Sequence, residues 1–217
     1  KDKPILLRAH GTKKDIWVEA NKRKMKVVDA TCPLVHEIHN EVKKLAEDGR
    51  QIFVIGDHGH DEVVAIADQV SGTIVIASEE EARKVKKYKK AGVVSQSTQT
   101  IENVQEIINI LMQKVFDLHF VNTICYPTKR NHEQIKELAK DCDVIIIIGS
   151  FTSANSKRLT KMSKTINKRT YQVMCADEVN QEWFKECQKV GISAGASTPD
   201  YLIKSVSDKI QEIADNK

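Results

Sequence analysis

The chain has 217 residues, of which 41% are hydrophobic and 29% charged, with a formal net charge of +4. That size suits one large or two ordinary domains with a real core, and no apolar run approaches the roughly 20 residues of a membrane-spanning helix. Aromatic residues are only 5% of the chain, and the 27 lysines and 7 arginines fall mostly in helical stretches such as EEEARKVKKYKK, beside acidic residues. Neither a stacking platform nor a basic stripe for nucleic acid stands out, and the mild positive excess suits an anionic small molecule or an acidic protein partner. Five cysteines are an odd number in a chain too large to need disulfide staples. They point to a reducing compartment and to thiols used for packing, metal or redox chemistry. The chain opens Lys-Asp-Lys-Pro without a methionine and shows no signal peptide, which reads as a fragment or a processed form.

The predicted elements alternate from end to end. Short β-branched runs at 5–9 and 26–30 precede an amphipathic helix at 34–45; strands follow at 52–56, 73–77 and 92–95. A helix at 101–115, a strand at 118–122 and a helix at 131–138 come next, then strands at 144–149, 171–175 and 191–194 and a closing helix at 203–213. Such alternation means repeated βα units and parallel sheets, an α/β fold. Nearly every notable polar residue follows the C-terminal end of a predicted strand: His10, Cys32, His58 to His60, Ser95 to Thr98, Cys125, Ser150 to Asn155 and Ser193 to Thr198. That edge of a parallel sheet is where helix N-termini and loops converge on ligands, so these residues are expected to share one pocket.

Two of the segments repeat one device. In DATCPLV, Pro33 suits the first helical position and sets Cys32 at the N-cap; in NTICYPT, Cys125 lies just before a helix with Pro127 near its start. A helix N-terminus carries partial positive charge, which suits a thiolate ready to bind a metal or cluster. Either cysteine could equally be a small buried hydrophobe. There is no Cys-x-x-Cys, so zinc-ribbon and thioredoxin motifs are absent. Cys142 and Cys187, the latter expected in a helix, read as packing residues, and Cys175 as a weaker candidate ligand.

GSFTSANSKRL and AGASTPD each run from a strand into a helix, with hydroxyls and unpaired backbone N–H groups at the turn and Pro199 in the first helical turn of the second. Helix N-termini of this kind hold phosphate, though ordinary capping explains any one Ser or Thr. HGHDEV places Glu62 at a helix start beside histidines, where a carboxyl either serves as a proton donor or complements the helix dipole. His36, His39, His119 and His132 are given no chemistry. No Gly-x-Gly-x-x-Gly, Walker loop or Gly-x-Ser-x-Gly elbow is present, which argues against dinucleotide, ATP and serine-hydrolase readings.

RAHG, DATCPLV, GHDEV, VSQST, NTICYPT, GSFTSANSKRL and GISAGASTPD, in this order, resemble the 4-hydroxy-3-methylbut-2-enyl diphosphate reductase family, from the last step of the methylerythritol phosphate route to isoprenoids. The likeness runs from His10 to Asp200. It implies three similar α/β units in pseudo-threefold arrangement around a central 4Fe-4S cluster, with one cysteine from each. Here these would be a remnant of the first unit at 1–33, the second at 34–121 and the third at 122–217. It also implies Cys32 and Cys125 as cluster ligands and His10, His60, Ser153, Asn155 and Ser197 as the diphosphate-binding set. Glu62 is implied as the proton-relaying acid, with Ser97 and Thr98 orienting it and the substrate. The implied partners are an allylic diphosphate and a ferredoxin or flavodoxin electron donor, with no nucleic acid or membrane; the compartment is the bacterial cytoplasm or a plastid-type organelle. Three departures stand out. The family's first cysteine and a further histidine are expected upstream of Lys1, and unless they are supplied the cluster has two ligands and this chain alone is expected to be inactive; Ala154 stands where a serine is usual, and Asp61 replaces a proline, which is expected to loosen its loop. Two rival readings remain: a zinc hydrolase using His10, His60, Glu62 and Cys32, and a non-catalytic cluster sensor.

Overall fold

The structure is a computed structural model that describes residues 3–216. The chain divides into two compact units, Lys1–Thr128 and Lys129–Lys217. In the first, β1 (Ile5–Leu7), α1 (Lys14–Lys22) and β2 (Val27–Asp29) form one βαβ element whose two strands pair in parallel. The rest of this unit is a four-stranded sheet of order β4-β3-β5-β6, made from β3 (Gln51–Ile55), β4 (Ile74–Ile76), β5 (Tyr88–Ser95) and β6 (Val115–Phe120). Its helices are α2 (Pro33–Glu47), α3 (Asp61–Ala67), α4 (Glu79–Lys84) and α5 (Ile101–Met112). α6 (Tyr126–Asp141) begins in the first unit and runs into the second. The second unit has a three-stranded sheet of order β8-β7-β9, from β7 (Val144–Ile148), β8 (Thr170–Val173) and β9 (Val190–Ala194), with α7 (Ala154–Ile166) and α8 (Asp200–Asp215). All the strand pairings among the described residues are parallel, the expected α/β class.

Parallel strands covered on both faces must be apolar at successive positions, and the central strands are. Phe53 and Ile55 of β3 pack with Ile107 and Leu111 of α5, while Ile52 and Val54 pack with Ile38 and Val42 of α2 and Ile66 of α3. β7 does the same: Ile146 and Ile148 meet Val206 and Ile210 of α8, and Ile145 and Ile147 meet Ile135 of α6 and Leu159 of α7. Since each strand is followed by a helix on one side or the other, the strand ends bring loop after loop to one edge.

The nine predicted strands and four predicted helices are all present, with shifted ends. The stretch EEEARKVKKYKK is not one helix: α4 stops at Lys84, and Tyr88 opens β5 with Lys89 and Lys90 exposed along it. Tertiary pairing overrides local propensity there, because Tyr88 is registered with Val115 and sets its ring 5.5 Å from that of Phe53. For the same reason α5 ends at Met112 and Val115 belongs to β6. Cys187 is not helical; a 3₁₀ turn ends at Phe184, and Glu186 takes a left-handed conformation (φ 52°) that stops any helix before the cysteine. Cys187 still packs against the second unit's core, and Cys142 is buried in it, where burial pushes its thiol pKa up. Pro199 caps α8 from outside instead of lying in its first turn.

Close helix–sheet contact depends on Gly92 of β5, where an added Cβ would come within 2.8 Å of Leu45 Cβ on α2. Because that atom sits next to the helix backbone, relief requires the helix to move. Gly92→Ala is therefore expected to destabilise the protein by about 1–3 kcal/mol, read as a lowered urea midpoint at unchanged slope. A midpoint equal to that of the unaltered protein would show the contact to be slack.

Candidate active site

The clearest constellation begins where β3 gives way to α3. Gly56 permits the crossing, since a Cβ there would lie 2.5 Å from Val63 Cγ2 and 3.1 Å from Gln96 Cβ. His60 then caps α3, its Nδ1 accepting the Glu62 N–H at 3.2 Å. In the neutral ring the proton is therefore on Nε2. Glu62, 2% exposed, turns back onto the loop after β5. Its Oε1 accepts the Ser97 N–H at 2.6 Å, and its Oε2 accepts the Ser97 Oγ–H at 2.8 Å. An ionised carboxylate is acceptor-only and costly to bury unpaired, so both bonds fit its charged form.

Ser97 does more than hold the acid. Its carbonyl accepts the Cys125 N–H at 3.0 Å, which ties the second predicted thiol to the same loop. Cys125 is half-buried immediately before α6, with its Sγ 2.9 Å from Thr128 Oγ1. Cys32, also half-buried, is the N-cap of α2 with Pro33 at the first helical position, as its sequence required. Its N–H donates to Ala9 O at 2.9 Å, placing it beside His10, and the His10 and His60 rings meet edge to face at 5.6 Å. A chain of direct contacts and sequence neighbours thus runs from Cys32 through His10, His60, Glu62 and Ser97 to Cys125, all within the first unit. Thr98 lies in the same loop, its Oγ1 accepting from Gln96 Nε2 at 3.0 Å.

In the second unit, Ser153 caps α7 by accepting the Ser156 N–H at 3.3 Å. Asn155 holds its Nδ2 buried and without a hydrogen-bond partner. Gly149 and Gly195 pack against Ser156, where a Cβ on either would fall within 2.5 Å of Ser156 Oγ. This brings the loop carrying exposed Ser197 alongside the start of α7. Ser156 itself is buried and structural. Ala154, the first residue of α7, offers a methyl group where a hydroxyl was looked for.

Three supporting residues escaped the sequence reading. Gln96, fully buried, accepts the Asp57 N–H on Oε1 at 3.0 Å and braces the loops of Glu62 and Ser97 against each other. Thr123 Oγ1 accepts the Ser95 N–H at 2.7 Å and donates to Ser95 O, locking the end of β5 to the loop before Cys125. His39 is buried with Nε2 unpartnered against Gly11, whose left-handed φ of 86° favours glycine and where an added Cβ would lie a tight 3.1 Å from His39 Cε1. Asp61, where the resemblance led one to expect a proline, forms an ion pair with Arg8, both side chains being exposed. Among the described residues no three His, Cys, Asp or Glu side chains gather as a metal-binding group.

Fold and site together define a parallel α/β protein that gathers thiol, imidazole and carboxylate groups at the carboxyl edge of its strands. The family profile described as "LytB protein" matches residues 1–211, and the chain belongs to that family. The 4-hydroxy-3-methylbut-2-enyl diphosphate reductase of Geobacter metallireducens is 39% identical over 213 residues, covering 98% of this chain and 76% of that protein. The reductase of the same name from Aquifex aeolicus is 36% identical, with 98% and 75% covered. Among solved structures, that of (E)-4-hydroxy-3-methyl-but-2-enyl diphosphate reductase matches with a TM-score of 0.68 at 36% identity, over 96% of this chain and 76% of that one. The E-1-hydroxy-2-methyl-but-2-enyl-4-diphosphate reductase of Plasmodium falciparum matches with a TM-score of 0.88 at 27% identity, over 94% and 65%.

Burial, reinforced by repulsion from His36 and Lys43, pushes the His39 pKa from 6.5 down to about 4. The folded state thus favours the neutral ring, and its contribution to stability is complete above pH 6.5 and is lost as pH falls toward 4. Relative to His39→Gln, the unaltered protein should lose urea stability progressively between those values. Parallel stability curves for the two proteins over this range would rule out a buried neutral imidazole.

Proposed function

We propose that this chain, given a third cluster cysteine, performs the reductive dehydroxylation of 4-hydroxy-3-methylbut-2-enyl diphosphate to isopentenyl and dimethylallyl diphosphate. The observation that carries the reading is Ser97, which holds a buried carboxylate with its N–H and hydroxyl and a helix-mouth cysteine with its carbonyl. The reaction breaks one allylic carbon–oxygen bond and consumes two electrons and two protons, the hydroxyl leaving as water and one carbon gaining hydrogen.

The residues present fit an iron–sulfur cluster in donor chemistry: Cys32 and Cys125 are free thiols at helix N-termini, linked by the contacts above. Cys32 and Cys125 would hold a 4Fe-4S cluster, which when bound would supply the electrons and Lewis acidity toward the allylic hydroxyl. The chain's own residues supply position and protons. Protonated on Oε2, Glu62 donates to Ser97 Oγ, whose own proton can then turn to the departing oxygen. His60, with Nδ1 occupied, presents Nε2–H to the diphosphate, and His10 is its neighbour. Ser153, Asn155 and Ser197 supply the remaining diphosphate donors, and Ala154 can add only its backbone N–H. Thr98 would orient the substrate from the Ser97 loop. The two-stranded element at 1–33 is read as part of a first α/β unit, beside units at 34–121 and 122–217.

A ferredoxin or flavodoxin would deliver the electrons one at a time. The compartment that accompanies this reading is the bacterial cytoplasm, or a plastid-type organelle in a eukaryote. Among the described residues no helix is long and apolar enough to cross a membrane. The sensor alternative has no use for a buried unpartnered amide at a helix start.

In the iron-loaded protein, Glu62→Gln should lower turnover about 10²–10⁴-fold, the range for a positioned proton donor, while the visible spectrum of the cluster is unchanged. Ser97→Ala should cost about tenfold through one lost charge-assisted bond of roughly 1.5 kcal/mol. Near-normal turnover by Glu62→Gln with an intact spectrum would remove Glu62 from the mechanism.

A further inference from the structure

The charge of this protein is unevenly spread. From residue 144 to residue 176 there are six cationic side chains and no acidic one, against a net +4 for the whole chain, so the remainder is net acidic. Four of the six, Lys157, Lys161, Lys164 and Lys168, are exposed. Their spacings of four, three and four residues align them along one face of α7 and the residues just beyond it. Among the described residues none of these four side chains makes an ion pair or a hydrogen bond. The contrast with α4 is direct, since Arg83 and Lys84 there are paired with Glu79 and Glu80 one turn back.

Such a stripe, which stands out only once α7 aligns these lysines on one face and so corrects the expectation that the sequence holds none, works against its own helix. Like charges three and four residues apart repel, and Lys157 sits in the first turn, where the helix dipole disfavours a cation. A surface of merely solvated charge would intersperse acids, as the other helices of this chain do. The stripe also borders a shape: Lys157, Lys161 and Lys164 line a shallow, open groove of about 440 Å³ with Gln172 of β8 also at its lining. β8 is the edge strand of its sheet, and Met174 just beyond it is 42% exposed. Free ammonium groups around a concave surface with an apolar contact at its margin form a rim suited to an acidic protein.

We propose that the α7 groove is the docking surface for an acidic one-electron carrier protein. The inference rests on the reductase reading above and deepens it by assigning a face to the electron donor. Opposed charge speeds encounter and fixes orientation, and a carrier must dock and leave once per electron, so salt-sensitive, rim-type attraction suits it better than a large apolar interface.

The test uses the 217-residue chain and an oxidised flavodoxin, with titration calorimetry at 50 and 300 mM salt. The unaltered chain should bind, and more weakly at the higher salt. Lys161→Glu/Lys164→Glu should raise Kd at least tenfold at 50 mM, with an unchanged circular dichroism spectrum. The control Lys86→Glu/Lys89→Glu should stay within about twofold of the unaltered protein. Equal weakening by both pairs, no effect of the α7 pair, or no binding by the unaltered chain would overturn the proposal. So would loss of affinity only for vesicles containing one-fifth phosphatidylglycerol or for a DNA duplex, since the groove would then serve a membrane or nucleic acid. Turnover of the iron-loaded protein with dithionite-reduced methyl viologen separates the two readings. If the α7 pair turns over normally with viologen once a third cluster cysteine is supplied, the reductase reading stands whatever the docking result, and absence of viologen-driven turnover in the unaltered protein so completed removes the reductase reading itself.

Discussion

A carboxylate taken out of water must be given hydrogen bonds by the protein, or it neutralises or forces the structure open. Glu62 meets this constraint at a single residue. Ser97 donates its N–H to one oxygen and its hydroxyl to the other, and its carbonyl receives the Cys125 N–H. Position of the acid and position of the thiol are therefore not independent. Any shift of the loop after β5 moves both, which is the property a site needs when proton delivery and bond cleavage must occur at one atom.

The sheet makes that coupling possible. In a parallel α/β layer the loops after β3 and β5 leave from adjacent strands, and backbone bonds from Gln96 to Ile55 and from Cys125 to Ser97 stitch three successive strand ends together. Glycine is required where these loops cross, because a Cβ at Gly56 would collide with α3 and one at Gly11 would press on His39. Those glycines set how near the histidines and the carboxylate come to the sheet edge. They place function without carrying it.

The elements were largely legible because their signals are local: β-branched runs, a Ser or His before a helix, a proline at its first position. Cys32 and Pro33 fall where those rules put them. The misread boundaries were decided by tertiary contacts. Nothing in KKYKKAG reveals that Tyr88 will find Val115 and the ring of Phe53 and so begin a strand. The same limit hid the supporting residues: Gln96, Thr123 and His39 matter through partners 39, 28 and 28 residues away, and separation in sequence erases the pattern. What could be read of the site came from types of residue at strand ends; what could not was which of them satisfy one another.

Satisfaction is also what distinguishes the two halves of the proposed chemistry. In the first unit the acid's hydrogen bonds are complete before any ligand arrives, so its geometry is fixed by the protein alone. In the second, the Asn155 amide is buried with no partner, a cost of about 1–3 kcal/mol that an incoming anion would recover. A donor already stripped of water gains more from a phosphate oxygen than a hydrated one does, because the protein has borne its desolvation during folding. The arrangement therefore assigns rigidity to the group that must deliver a proton and unfilled bonding capacity to the group that must capture charge. Within the proposed chemistry, that asymmetry is what favours an anion at the α7 turn over capping alone.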